Sequence, residues 1–353
     1  MYMEEVVYIN GRFLTQNMTG VQRFALEICK ELVKLRNDVV FLVPHSIDVN
    51  LIPKSFNLQV IGKKNGLHWE QIELPRYLKT QKNPLLINLC NRAPVFYKNN
   101  ILVLHDVTFR RYPKSVSFSF GVFYKLMVPL LVKHAKQLLT VSEFSKNEIQ
   151  HFYPNCKNNI EIIYNAVGEK FSSNGKLACE ENYLLAVSSD YLHKNFHRLV
   201  EAFIQLNDPS MKLKIVGSKG KIAEQYQAVK NIDFIGRVSD EELIKLYQNA
   251  FAFVFPSLYE GFGIPPLEAQ ACGCPVLSSN LSVMPEVLAD SVIYFNPFDI
   301  DNIVNAFKKV MMDKNLYNEL INKGYKNVAR FSWIDSAIKL NAIISSHIGL
   351  DEL

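Results

Sequence analysis

The stretch FAFVFPSLYEGFGIPPLEAQACGCPV, residues 251–276, decides the fold. Its first five residues, Phe251 to Phe255, are wholly apolar and β-prone, the pattern of a strand buried on both faces of a parallel sheet. A short loop follows, carrying Glu260, Gly261 and Gly263. Pro265 and Pro266 mark a helix start, because a missing N–H costs nothing in a first turn. Gly273 closes the expected helix Leu267–Cys272 as its C′ residue. Strand, glycine loop and helix in this order turn the helix's free N–H groups into the loop, where they form an anion site. Glu260 and Glu268 frame that site with seven residues between them. A ligand bearing both phosphates and hydroxyls suits the arrangement. The N–H groups of Gly261, Phe262, Gly263 and Ile264 donate to its oxyanions, and the carboxylates accept from vicinal hydroxyls. A nucleotide sugar meets both demands. The plainer reading makes the glutamates partners of the helix dipole.

Outward from this stretch, buried-strand runs alternate with helical periodicity in both directions. Upstream lie VVYI (6–9), VVFLV (39–43), LLINL (85–89), ILVLH (101–105) and LLTVS (138–142). Around the stretch itself lie YLLAVS (183–188), KLKIVG (212–217), IDFIG (232–236), CPVLSS (274–279) and SVIYF (291–295). Such alternation predicts α/β units with doubly wound parallel sheets, whose ligands sit beyond the carboxyl ends of the strands. Gly20 and His105 fall at such ends. Thr19 with Gln22 is expected to form a capping box for the helix Gly20–Leu35, Ser239 with Glu242 another for a helix running to Ala250, and Asp299 opens a further helix. At 353 residues the chain exceeds one ordinary core. The reading is two domains, 1–170 and 171–335, with the polar segment from about Gly168 to Glu181 as linker and an amphipathic tail helix at 333–347.

Composition narrows the class. Hydrophobic residues make up 48% of the chain, enough for two cores, so global disorder is excluded. No run of eighteen uncharged apolar residues occurs, and MYMEEVV carries acids where a signal peptide needs lysines. The six cysteines are scattered, and Cys272 with Cys274 lacks partners for a zinc site; reduced thiols and a cytoplasmic protein are expected. Residues 1–170 hold 22 Lys/Arg against 13 Asp/Glu, a balance of +9, and residues 171–353 hold 17 against 21, a balance of −4. The two halves therefore favour different partners. Nothing in this charge pattern calls for nucleic acid. Residues 115–139 are aromatic and apolar with lysines at 125, 133 and 136. Buried helices, kinked at Pro129, are the first reading, and a surface touching an anionic membrane is the second.

Seven segments in register carry a family resemblance. They are NGRFLTQNMTGVQRFALEI near the start, VLHDVTF (103–109), TVSEFSKNEI (140–149), YNAV (164–167), HKNFHRLVEAF (193–203), FIGRVSDEELIKLYQNA (234–250) and PSLYEGFGIPPLEAQACGCPV (256–276). Together they resemble the retaining family-four glycosyltransferases of the GT-B fold, of the bacterial surface-polysaccharide type. The resemblance implies two Rossmann-like domains facing across a cleft, with a C-terminal helix, 336–353, returning to the first domain. It implies that Glu268 accepts from the ribose hydroxyls, and that Glu260 with the backbone of 261–264 holds the transferred hexose. Lys194 would stabilise the departing diphosphate, and His105, followed by Asp106, would touch the sugar from the opposite wall. Before the Lys-Asn pair, members commonly show a glycine followed by a serine or arginine. Here Ser188 and Ser189 stand there, and Arg237 is the nearest substitute.

The implied donor is a nucleotide-diphosphate sugar, GDP-mannose among the candidates, used without a metal cofactor. The implied acceptor is a lipid-linked oligosaccharide of O-antigen or capsule type, at the inner face of the cytoplasmic membrane. A sugar-nucleotide epimerase of the same fold and a non-catalytic, sugar-nucleotide-binding subunit are the alternatives. A phosphorylase would need a much longer chain.

Overall fold

The computed structural model describes residues 6–154, 156, 159–173, 182–187, 191–217 and 220–349. Two compact units divide the chain. The first comprises residues 1–110, 118–165 and 332–353, and the second comprises 111–117 and 166–331. Each is built on one parallel sheet.

The first sheet has seven strands: β1 (Val7–Asn10), β2 (Val39–Val43), β3 (Leu58–Val60), β4 (Leu86–Asn88), β5 (Asn100–Val103), β6 (Gln137–Thr140) and β7 (Ile160–Ile162). Their order is β3-β2-β1-β4-β5-β6-β7, so the winding reverses between β1 and β4. Helix α1 (Gly20–Leu35) occupies the expected span. Its Phe24, Ile28 and Leu32 are fully buried, each contributing about 1.5–3 kcal/mol of hydrophobic stabilisation. The expected capping box at its start does not form: the Thr19 hydroxyl pairs with the Gln22 side chain and leaves the backbone N–H groups alone. The C-terminal helix Trp333–His347 packs on α1, with Trp333 5.8 Å from the Phe24 ring and Asn341 accepting from Arg36 at 3.1 Å. Ser336 donates to the Tyr164 carbonyl at 2.7 Å.

The segment expected as buried helices is instead a single helix, α2 (Phe118–His134), continuous through Pro129. One side, with Met127, Val128, Leu131 and Val132, is buried. The other is not: Phe118 is 88% and Leu126 69% exposed, beside exposed Phe120, Val122 and Leu130. Among the described residues no helix is long and apolar enough to cross a membrane.

The second sheet has six strands: β8 (Tyr183–Val187), β9 (Lys212–Val216), β10 (Ile232–Gly236), β11 (Ala252–Phe255), β12 (Val276–Ser279) and β13 (Ile293–Phe295). Their order is β10-β9-β8-β11-β12-β13, with the winding reversing between β8 and β11. Helices α3 (Phe196–Leu206) and α4 (Asp240–Asn249) flank it, α4 opened by the Ser239–Glu242 capping box. The helix after the Gly-x-Gly loop, α5, runs Ile264–Ala271. It starts three residues before the expected Leu267, with Pro265 and Pro266 in its first turn. Much of the expected linker lies outside the described residues.

Candidate active site

In the second unit the place of reversed winding gathers most of the predicted residues. Doubly wound sheets bind ligands there because the loops after the two central strands diverge and leave a crevice. The loop after β8 becomes a short 3₁₀ turn, Leu192–Lys194, ended by Asn195 in the left-handed region at φ 60°. Asn195 is fully buried, and its amide donates to the carbonyls of Pro256 (3.2 Å) and Pro297 (2.8 Å). The Leu258 N–H donates to the His193 carbonyl at 2.7 Å. These bonds tie the Lys194 turn to the loop after β11. His193 is buried, stacks on Tyr191, and its N–H donates to the Ser115 hydroxyl at 3.2 Å.

The tie brings Lys194 onto Glu260. The ammonium donates to Oε1 at 2.6 Å, with both side chains mostly buried. Glu260 is itself fixed through its backbone: its N–H donates to the Ser282 hydroxyl at 3.0 Å, which donates back to its carbonyl at 2.9 Å. Gly261, Phe262, Gly263 and Ile264 follow as the approach to α5. Gly263 has φ 87°, in the left-handed region where a side chain is strained, and a Cβ there would lie 2.6 Å from the Met284 methyl, which would have to shift. Phe262 is buried against the Phe331 ring.

Glu268, one turn inside α5, is 5% exposed and accepts from the Tyr247 hydroxyl of α4 at 3.3 Å. Burial, and then the nearby carboxylate, hold the Tyr247 phenol well above its usual range, so it remains a donor. The same two causes push the Cys272 thiol up to about 12, which keeps it protonated and unreactive. All five described cysteines are free. Among the described residues no group of three or more His, Cys, Asp or Glu is placed to hold a metal ion.

Three predicted residues, Arg237, Gly20 and His105, stand elsewhere. Arg237 is exposed just past β10, an edge strand two places from β8. Ser188 and Ser189 lie outside the described residues. Gly20 and His105 belong to the first unit, Gly20 exposed at the start of α1. His105 is buried, its ring 4.8 Å edge-on from Phe24 and its Nε2 donating to the Leu89 carbonyl at 2.9 Å. Burial lowers its pKa against the smaller opposing effects of that carbonyl and Asp106, so the ring is neutral with the proton on Nε2. Asn195, Ser282 and Tyr247 were not among the predicted residues. Asn195 was visible as the second half of the Lys-Asn pair, but nothing in the local pattern marks Ser282 or Tyr247.

The family descriptions "Glycosyltransferase Family 4" and "Glycosyl transferases group 1" match residues 18–170 and 169–327, back to back. The chain belongs to this glycosyltransferase family and has the GT-B type of fold, two parallel-sheet Rossmann-like units. It is 33% identical over 234 residues to the O-antigen chain mannosyltransferase RfbU of Salmonella typhimurium, covering 65% of each chain. It thus spans just under two thirds of that relative. It is 26% identical over 361 residues to O-antigen chain mannosyltransferase B of Escherichia coli, covering 90% of this chain and 93% of that one. Anabaena HepE, solved in complex with UDP-glucose, shares the fold with a TM-score of 0.74 at 16% identity, over 97% of this chain and 99% of that one.

Proposed function

We propose that the protein transfers a hexose, with mannose the first candidate, from a nucleoside-diphosphate sugar to a lipid-linked oligosaccharide in O-antigen or capsule synthesis. The observation that carries this is the Lys194–Glu260 pair, fixed at the reversed-winding point of the second sheet beside the Gly261–Gly263 loop and the start of α5. The O-antigen mannosyltransferase relatives favour mannose and that pathway, and GDP-mannose is the donor to test first.

The donor's arrival exchanges partners. Its diphosphate draws Lys194 away from Glu260, and the released carboxylate accepts from hydroxyls of the sugar. The N–H groups at the start of α5 add fixed positive dipoles. As the anomeric C–O bond breaks, negative charge builds on the leaving diphosphate. A preorganised cation there favours the transition state over the ground state. Lys194 supplies that charge without a metal cofactor. Glu268, held by Tyr247, takes the ribose hydroxyls. The sequence marks no carboxylate pair as nucleophile and acid of the glycosidase kind, so we assign front-side substitution within an ion pair, with retention of anomeric configuration. The first unit takes the acceptor, with His105 and Gly20 on that side, and the exposed side of α2 rests on the cytoplasmic membrane face.

Thermal-shift measurement against a panel of nucleoside diphosphates and nucleotide sugars tests the reading, since a ligand bound only to the native state raises Tm. Stabilisation by a nucleotide sugar and by its nucleoside diphosphate is expected; no shift with any of them overturns it. Proton NMR of the early product from an α-linked donor is expected to show an α-linkage, and a β-linked product would remove the mechanism.

A further inference from the structure

In the first unit, too, the point of reversed winding is occupied by charge. Asn10 ends β1 and Asn88 ends β4, the two strands between which the winding turns. The Asn10 amide donates to Asn88 Oδ1 at 3.0 Å and to Glu70 Oε1 at 3.2 Å. Glu70 is 1% exposed and sits in a π-helical turn, Trp69–Glu73, an irregularity frequent at functional sites. Arg12 follows β1 and Arg92 follows β4, and both converge on Glu70. Arg12 Nη1 lies 3.7 Å from Oε1, and Arg92 Nη2 lies 2.7 Å from Oε2. Gly11 lets this loop press on β2: a Cβ there would lie 2.6 Å from Val43 Cγ1 and 2.8 Å from the Leu42 carbonyl oxygen.

The charges do not balance. Two guanidiniums meet one carboxylate, and the neighbouring Asp106 is engaged with the Thr108 N–H at 2.8 Å. All three side chains are mostly withdrawn from water, at 17%, 13% and 2% exposure for Arg12, Arg92 and Glu70. Burial lowers the Arg12 pKa, Glu70 opposes that, and Arg92 adds to it. Arg92 Nε and Nη2 are buried without a well-aligned hydrogen bond among the described residues, although Nη2 is close to Glu70. The Arg92 guanidinium is steadied by the Phe123 ring at 5.4 Å. A purely structural network would be expected to close on itself, because buried, unpaired charge is strongly unfavourable. Among the described residues this one is left one anion short, at the mouth of a sheet where ligands bind. Paired guanidinium forks suit a tetrahedral oxyanion, which they bind bidentately.

We infer that Arg12 and Arg92 bind a phosphate group of the acceptor substrate, with Glu70 holding the two guanidiniums in position. The word acceptor rests on the glycosyltransferase reading above; the anion site itself does not. The diphosphate of the donor is the other possible source of such a group.

Isothermal titration separates them, with inorganic pyrophosphate added to protein already saturated with the nucleoside diphosphate that raises Tm most. Wild type is expected to bind pyrophosphate under these conditions. Arg92→Gln and Arg12→Gln are each expected to weaken it at least tenfold while nucleotide affinity stays within twofold. The double variant Glu70→Gln/Arg92→Gln removes one charge of each sign, so it guards against misfolding around a stranded carboxylate, and it too should bind pyrophosphate at least tenfold more weakly. Pyrophosphate binding at wild-type strength in the double variant overturns the inference, as does no binding once nucleotide is present. Loss of nucleotide affinity in Arg92→Gln would give the arginines to the donor and equally overturn it. A protein that binds no nucleotide at all contradicts the function proposed above, and pyrophosphate titration of the Arg variants then still decides whether the anion site exists.

Discussion

Glu260 and Glu268 stand eight positions apart in the chain but in different surroundings, and their variants should differ accordingly. Glu268 is buried on Tyr247, and its assigned partner is the ribose. Glu268→Ala is therefore expected to weaken binding of a bare nucleoside diphosphate, measured by titration. Glu260 faces Lys194, and its assigned partner is the sugar. Glu260→Ala should leave bare nucleotide affinity intact or improved, because it frees Lys194 for the diphosphate, while turnover collapses. Equal losses of nucleotide affinity in the two variants would end this division of roles. Lys194 carries the third residue-level prediction. Removing a fixed donor at a developing anion costs about 2–4 kcal/mol of transition-state stabilisation, so Lys194→Ala is expected to lower kcat by roughly two to three orders of magnitude. Lys194→Gln, which keeps length without charge, should fall nearly as far. A rate within fivefold of wild type would return Lys194 to a merely structural partner of Glu260 and move the diphosphate to Arg237.

Among the elements, α2 carries its own test. Its solvent side presents Phe118, Phe120, Val122, Leu126 and Leu130, with Phe96 of the same unit 83% exposed. Lys125 and Lys133 lie on this helix, in the half of the chain whose balance is +9. An apolar side flanked by cations suits the surface of an anionic bilayer. Co-sedimentation with acidic vesicles should weaken steeply as salt rises above physiological strength, and Phe118→Ser/Leu126→Ser should abolish it without lowering Tm, since both side chains are already in water. Binding indifferent to salt, or unchanged in the double variant, would leave α2 as an ordinary surface helix. The sequence misled here because an apolar helix without clear sidedness reads as core, and only packing reveals which half stays bare. The central strands were legible for the opposite reason: buried on both faces, they are continuous apolar runs. Edge strands β3 and β7 were missed, three residues each and partly polar, as LQV and IEI. The donor-side loop was legible because Glu260 to Glu268 is one contiguous segment. Arg12, Glu70 and Arg92 were not, because only the order of strands brings three distant segments together.

At the scale of the molecule, the units are not contiguous in sequence. The chain leaves the second unit at Phe331, and its last helix, Trp333–His347, belongs to the first. That helix buries Trp333, Ala337, Leu340 and Ile344, and it gives Arg36 two side-chain acceptors, Asn341 and Ser345. The residues assigned to the donor all lie in the second unit. Ligand binding and loss of the last helix should therefore act on different cooperative transitions. Calorimetry of the full chain is expected to resolve two transitions, of which nucleoside diphosphate raises one, by an increment that grows with ligand concentration. A chain ending at Phe331 should lose several kcal/mol from the other transition, since uncovering a fully buried large apolar side chain costs about 1.5–3 kcal/mol. Its nucleotide-sensitive transition should stay near the full-length Tm and still respond to ligand. If truncation lowers both transitions equally, or if the scan shows one transition that ligand shifts as a whole, the units fold as a single cooperative block and the last helix stabilises both.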